Sequence, residues 1–331
     1  MNQTRRDCLT WALAASGLAL LPGPIPYAAG SRELAVGTPP GLPGVVLARM
    51  LETGDWQSHG REPRLRSWRD PDQFRTWIAR GSVQLSASPT NVAANLYNRG
   101  VPVVLLNVFI RGTLGVVVRN GPAAHLEDLA GKRIGVPWRG DMPDLVFRYV
   151  AQREGMSRDD FRLTYLGSPF EAVQMLLAKR LDAVVLPDPL RSAALRQAAN
   201  MGFNAQDLDL QSAWHEATGH EVMLPQAGLV ARRELVEEAP DLIETVQQGM
   251  AGAVAWVNEN RDAAARDGAQ RDDVPQPVLA DALERTPIEL TTATEAREDL
   301  EYFFGELATL SSDFIGGGLP DAGFYWKDGG G

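Results

Sequence analysis

Residues 126–156, LEDLAGKRIGVPWRGDMPDLVFRYVAQREGM, constrain the fold more tightly than any other stretch of the sequence. The pattern predicts a short helix stopped at Gly131, a buried strand over 133–136 and a second helix stopped at Gly155. In that second helix Met142, Leu145, Val146, Tyr149 and Val150 recur at i, i+3, i+4, i+7 and i+8, which makes one core-facing stripe. The turn Pro137-Trp138-Arg139-Gly140-Asp141 therefore joins the carboxyl end of a strand to the amino end of a helix. In open α/β sheets ligands gather at such turns, because the first helical turn leaves N–H groups without an intrahelical acceptor.

The same strand–turn–helix order runs through the rest of the chain. A strand over 33–37 leads into Thr38-Pro39-Pro40-Gly41 and a helix over 42–52. A strand near 65–68 precedes a helix with Phe74, Trp77 and Ile78 on one face, and a strand over 83–86 leads into Ser88-Pro89-Thr90-Asn91. This alternation is that of a parallel sheet with crossovers. A comparable unit follows later in the chain. There Phe170, Val173, Leu176 and Leu177 form the helix face, 183–186 the strand and Pro187-Asp188-Pro189 the turn. Both units end in a proline-containing loop that opens a helix with an alanine pair, Ala93-Ala94 and Ala193-Ala194. Two like lobes would face each other across a cleft lined by these turns. The β-rich runs 103–109 and 114–119, split by Ile110-Arg111-Gly112-Thr113, mark one crossing between lobes. Pro225-Gln226-Ala227-Gly228 marks the return, before a β-like run over 228–232 and a mainly helical stretch over 235–310. The expected division is 31–111 with 228–331 as the first lobe and 112–227 as the second, with Phe324-Tyr325-Trp326 anchoring the tail to the first.

The first 29 residues read as an export signal. Arg5-Arg6 precede an uncharged run over 8–21, and the small residues Ala28-Ala29-Gly30 follow. TRRDCLT resembles a twin-arginine motif with Cys8 where Phe is usual, and an ordinary Sec signal is the alternative. Cys8 precedes the apolar run, so it is not placed as a lipoprotein cysteine. It is also the only cysteine, so the exported chain has no thiolate chemistry and no disulfide. Lys+Arg number 32 against 42 Asp+Glu, a net charge of −10 with no basic tract, which argues against nucleic acid or an anionic membrane face as partner.

No catalytic constellation stands out. The G-x-S-x-G elbow, the Walker A loop and the G-x-G-x-x-G fingerprint are all missing. The segment HEATGHE (215–221) places His215 and His220 at i and i+5, about 140° apart on a helix, so it does not match the i, i+4 pair of a zinc helix. It reads as a polar surface loop. Neither an enzyme, a metal nor a cofactor is expected.

Two segments carry a family resemblance. Residues 126–137 closely resemble the "DLkGKkigvp" segment of periplasmic solute-binding proteins of ABC importers, in the NitT/TauT (nitrate, sulfonate, taurine) and NMT1-like branch. AVAWVNENRDAAA (253–265) resembles that family's "aaaWvnenpdeaa". One position departs: Gln84 stands where the first lobe usually has an acid, while the second lobe keeps it as Asp182. The resemblance implies an α/β, two-lobed periplasmic-binding-protein fold of type II, each lobe a mainly parallel sheet flanked by helices. It also implies a monomeric periplasmic protein that closes on a small polar solute and delivers it to an inner-membrane ABC permease. A periplasmic sensory or accessory protein is the alternative.

The candidate ligand contacts are the turns after the strands. They are Thr38, Pro39, Ser88, Thr90 and Asn91 in the first lobe, Arg111 and Thr113 at the crossing, and Trp138, Arg139, Asp141, Asp188 and Pro189 in the second lobe. Ser88, Asn91 and Asp141 equally suit helix caps, and Pro189 a first helical turn. Arg111, Arg139 and the helix N-termini favour an anion, whereas Asp141 and Asp188 favour a cation; a zwitterion satisfies both.

Overall fold

The structure is a computed structural model that describes residues 32–122, 124–221 and 223–327. The export signal read at 1–29 lies outside the described residues. The chain opens with β1 (Glu33–Thr38), α1 (Leu42–Thr53), β2 (Glu62–Ser67), α2 (Pro71–Ala79), β3 (Leu85–Pro89), α3 (Thr90–Asn98) and β4 (Val103–Arg111). It crosses into β5 (Leu114–Arg119), β6 (Arg133–Pro137), α4 (Met142–Arg153), β7 (Arg162–Leu166), α5 (Pro169–Leu177), β8 (Ala183–Pro187), α6 (Leu190–Asn200), β9 (Ala205–Asp209) and α7 (Leu210–Thr218). It returns through β10 (Pro225–Arg232), α8 (Arg233–Glu238), α9 (Pro240–Glu259), α10 (Arg261–Asp272), α11 (Gln276–Arg285), β11 (Ile288–Thr292) and α12 (Arg297–Ala308).

The strands form two sheets, ordered β11-β4-β10-β3-β1-β2 and β7-β6-β8-β5-β9. In the first, β1 lies parallel to β2 and β3, and β10 runs antiparallel between β3 and β4. In the second, β6 lies parallel to β7 and β8, and β5 runs antiparallel between β8 and β9. Both sheets are thus mixed rather than simply parallel. β10 and β5 each follow a crossing between lobes, and β11 adds a second antiparallel strand at the edge of the first sheet, against β4. The return strand starts at Pro225, ahead of the boundary read at 228, because Pro225 and Ala227 already pair with Arg111 and Ile110.

Local chemistry sets the element ends. Asp70 accepts the Gln73 N–H at 2.8 Å and Pro71 fills the first helical position of α2, while Asp209 caps α7 through the Ser212 N–H at 2.7 Å. Gly219, with φ of 67°, ends α7 in the left-handed conformation, so His215 lies on the helix and His220 beyond it. The α4 stripe is buried as its period predicts. Phe170 is a correction. Expected on the core face of α5, it is 62% exposed, because the buried stripe is Pro169, Ala172, Val173, Leu176 and Leu177 and Phe170 lies beside it.

The tail and α12 close the molecule. Trp326 donates its N–H to Leu105 O at 2.9 Å and Tyr325 bridges to Leu105, on β4 of the first sheet. From α12, Phe303 packs against the fully buried Trp214 at 5.8 Å, and Trp214 lies 4.7 Å from Tyr149 of α4. Aromatic pairs of this kind contribute about 0.5–1.5 kcal/mol each beyond their area. Among the described residues no helix is long and apolar enough to cross a membrane.

Candidate functional site

The carboxyl ends of β1, β3, β6 and β8 lead into the four turns read from the sequence, and these meet across the seam between lobes. Gly41 in the first turn has φ of 99°, and a Cβ built there would lie 2.8 Å from Pro189 Cδ of the other lobe. Only glycine meets both demands. Asn91 Nδ2 donates to Asp141 Oδ1 at 2.7 Å, again from one lobe to the other. Because Asp141 can only accept, this bond also fixes the orientation of the Asn91 amide. Arg285 of α11 donates to Ser192 Oγ of α6 at 2.5 Å, and Arg196 of α6 pairs with Asp281 of α11.

The two crossings bind one another beneath these turns. Gly112, with φ of 59°, donates its N–H to Leu224 O at 3.1 Å. The Thr113 N–H donates to Gln226 Oε1, and Thr113 O accepts from the Asp188 N–H at 3.2 Å. Thr90 Oγ1 donates to Pro225 O. A short relay therefore links Thr90 to Asp188 through Pro225, Gln226 and Thr113, all at the base of the cleft. Thr38, Ser88, Thr90, Asn91, Thr113, Asp188, Ser192 and Gln226 are all buried here. Buried polar side chains in such number mark a site rather than a core.

Two of these buried groups retain an acceptor atom without a partner, Asn91 Oδ1 and Asp188 Oδ2. The other oxygen of Asp188 accepts the Ser192 N–H at 3.0 Å and the Ser192 hydroxyl at 2.5 Å. Burial raises the Asp188 carboxyl above its ordinary range, against the lowering influence of Ser192, Arg191 and Arg285.

An open cavity of about 470 Å³ lies along the seam. Asn91, Trp138, Arg139 and Asp141 line it, together with Asp70, Asp72 and Arg75 of the first lobe, Gly167 of the second and Asp313 near the carboxyl terminus. Trp138 adopts φ of 55°, a left-handed conformation that a bulky residue rarely takes and that functional turns often hold. The buried Asp144 braces this turn by accepting the Gly140 N–H at 2.9 Å and the Tyr165 hydroxyl at 3.1 Å. Arg139 lies over the Tyr165 ring at 5.2 Å.

Of the sequence-derived residues, Asn91, Trp138, Arg139 and Asp141 share this cavity. Thr38, Pro39, Ser88, Thr90, Thr113, Asp188 and Pro189 belong to the turns and crossing of the closed seam, where Thr38 and Ser88 donate their hydroxyls to the carbonyls of Pro39 and Pro89 at 3.0 Å. Arg111 faces elsewhere. Its guanidinium reaches Asp299 at 3.4 Å, Thr291 Oγ1 at 3.2 Å and Met223 O at 3.3 Å, and it lines a separate cavity of about 400 Å³ with His220 and Glu221. It ties the crossing to α12 and is not placed to meet a solute in the cleft. Asp70 follows a parallel strand just as Thr38 does, so the strand-end rule could have found it. Arg285, Ser192 and Asp313 carried no such signal.

Two facing mixed sheets joined by paired crossings, with polar strand-end turns at the seam, define a type II periplasmic-binding-protein fold. The NMT1-like family matches residues 76–271, more than half the chain, and the chain belongs to that family. Solved structures with the same fold include an ABC transporter from Parabacteroides distasonis, at 22% identity over 90% of this chain and 99% of that one, TM-score 0.74. The periplasmic aliphatic sulphonate binding protein SsuA from Escherichia coli shares 19% identity over 90% and 93%, TM-score 0.73. The periplasmic nitrate-binding protein NrtA from Synechocystis PCC 6803 shares 14% over 86% and 84%, TM-score 0.63. No curated protein sequence matches the chain.

Proposed function

We propose that this protein is the extracytoplasmic solute-binding component of an ABC importer. It is exported through residues 1–29, by the twin-arginine route, and works in the periplasm as a monomer. It captures a small polar solute with an anionic group, a plain anion or a zwitterion, by rotation about the crossings at 110–114 and 225–228. The closed form is what an inner-membrane permease recognises. It performs no chemistry on the solute. Support comes from one observation above all: turns from both lobes meet at the seam through polar contacts, such as Asn91 with Asp141, that an entering solute can replace. The helix α3 starts at Thr90, and its N-cap Pro89 supplies no side-chain cap, so its N-terminus favours an anionic group. The relatives named for sulphonate and nitrate support the same solute class by analogy.

A solute shifts the open–closed balance only by its differential affinity for the closed form. Spin labels at R80C and E171C, both exposed and on opposite lobes, test this in the ligand-stripped protein. Nitrate, short alkanesulfonates and short aminoalkanesulfonates are added in turn and the interlabel distance is measured. At least one class should shorten it. One unchanging distance distribution across the whole panel would count against capture by closure.

A further inference from the structure

We propose that α12 is a strap, anchored on the first lobe, that holds the second lobe towards the closed arrangement before any solute arrives. This rests on rotation between the lobes and adds a third tie to the two crossings. Both ends of α12 are fixed to the first lobe. On the amino side Ala293 donates its N–H to Leu106 O at 3.0 Å, Thr294 Oγ1 donates to Trp326 O at 2.7 Å, and Arg297 lies over the Tyr325 ring at 5.1 Å. On the carboxyl side the short helical turn Ser312–Ile315 is held on α3, where Asn95 Nδ2 donates to Asp313 O at 2.7 Å and Asn98 Nδ2 to Ile315 O at 2.6 Å.

Between these anchors α12 grips the second lobe. Glu306 accepts the Tyr149 hydroxyl of α4 at 2.5 Å. Tyr302 stacks on His220 at 4.1 Å and meets Trp214 edge-on at 6.5 Å, and Phe303 meets Trp214 at 5.8 Å. Leu300, Phe303, Phe304 and Leu307 are fully buried in one apolar cluster shared with Val92 and Leu96 of α3 and Val146 and Val150 of α4. Among the described residues the opposite faces of the two sheets have no such common core: Val46 and Met50 of α1 belong to one cluster, Val173 and Leu176 of α5 to another. There α6 and α11 meet through the polar pairs Arg285–Ser192 and Arg196–Asp281. Opening exchanges such polar contacts for water at little net cost, but on the α12 face it would bring the Trp214, Tyr302 and Phe303 rings to water. The α12 face therefore resists opening more than the polar seam does. Because a solute's apparent affinity scales with the closed fraction, the strap raises that affinity without touching the solute.

The test needs no solute. Spin labels at R80C and E171C report lobe separation in the ligand-stripped protein, and three variants are compared with that labelled parent. Tyr149→Phe deletes the bond to Glu306, and Tyr302→Ala deletes the ring that meets His220 and Trp214. Tyr97→Phe deletes a like hydroxyl–carboxylate bond, to Asp321, within the first lobe. A hydrogen bond of ordinary net strength changes an equilibrium by about 2- to 10-fold. The ratio of long- to short-distance populations should rise by that factor in Tyr149→Phe, rise further in Tyr302→Ala and stay unchanged in Tyr97→Phe. Equal ratios in Tyr149→Phe and the parent overturn the strap, as does an equal rise in Tyr97→Phe. If Tyr302→Ala fails to fold, Tyr149→Phe decides alone. Adding nitrate and short alkanesulfonates to the parent then tests capture separately: a strap effect without a solute effect supports the strap and counts against capture.

Discussion

In the first sheet Gln84 accepts the Ala35 N–H at 2.7 Å, and at the matching place in the second sheet Asp182 accepts the Arg133 N–H at 3.0 Å. The registers are equivalent, since Val36 pairs with Leu85 and Ile134 with Ala183. The geometric task, satisfying the N–H where one parallel strand begins beside another, needs only a carbonyl-type oxygen. An amide does it as well as a carboxylate, which explains how the first lobe departs from the family pattern without losing its fold. The carboxylate adds charge: Asp182 also takes the Arg133 guanidinium at 2.8 Å and Arg119 at 3.3 Å, and these hold it down at about 2.

The same contrast recurs at the opposite sheet edges, where the site lies. First-lobe turns carry the hydroxyls of Thr38 and Ser88, bonded to the following proline carbonyls, whereas second-lobe turns carry the carboxylates Asp141 and Asp188 at helix N-termini. The lobes share a topology and differ in electrostatics. The contrast belongs to these four turns; the cavity beside them carries charge on both walls, Asp70, Asp72 and Arg75 on the first lobe and Arg139 and Asp141 on the second.

The strongest challenge to this pairing of turns is Gly41→Val. A β-branched residue at positive φ, pressed against Pro189, should cost about 3 kcal/mol in the closed form. Spin-label distances should then show the open form dominating; an undisturbed closed population would break the claim that these turns meet. Next comes Asp141→Ala, which removes a helix cap and a cross-lobe bond together. About 2 kcal/mol should be lost, against less than half of that for Ser88→Ala, measured by urea denaturation. Equal losses would dissolve the contrast between these turns.

Smaller effects sharpen the comparison at Gln84 and Asp182. Gln84→Ala should cost about 1 kcal/mol at any pH, since it strands a strand-end N–H without ionisable partners. Asp182 has a folded pKa below its unfolded value of about 3.9, so its contribution is complete above about pH 4 and is lost as pH falls towards 2. Hydrogen exchange resolved by lobe should show wild type and Asp182→Asn converging in acid and separating above pH ~4. A separation that grows in acid would contradict the assignment. The smallest effect is expected for Arg196→Ala, whose partner Asp281 is partly exposed; it should change stability by about 0.5 kcal/mol or less and be insensitive to detection in high salt.

Much of this was legible because the relevant physics is local. The α4 stripe, Asp141 at a helix start and the glycine at Gly112 follow from periodicity, capping and backbone freedom. Short edge strands were not legible. β9, AQDLD, is charged and half-exposed, and β11, IELTT, sits in an otherwise helical stretch, so neither offers the apolar run that reveals a buried strand. Phe170 was not legible because both Pro169 and Phe170 stand at helical spacing from Val173, and only packing shows that Pro169 turns inward. Arg111 misled because its position at the crossing is fixed by sequence while the direction of its guanidinium is fixed by Asp299, far along the chain.

The amino-acid order alone determined two alternating α/β units, the turns at their strand ends and two crossings between them, because each depends on residues close in the chain. Tertiary structure decided which turns face one another, that Arg285 reaches Ser192, and which oxygens of Asn91 and Asp188 remain without donors. Those outcomes depend on groups brought together from distant positions, and on counting every hydrogen bond around a buried atom, which no local pattern encodes.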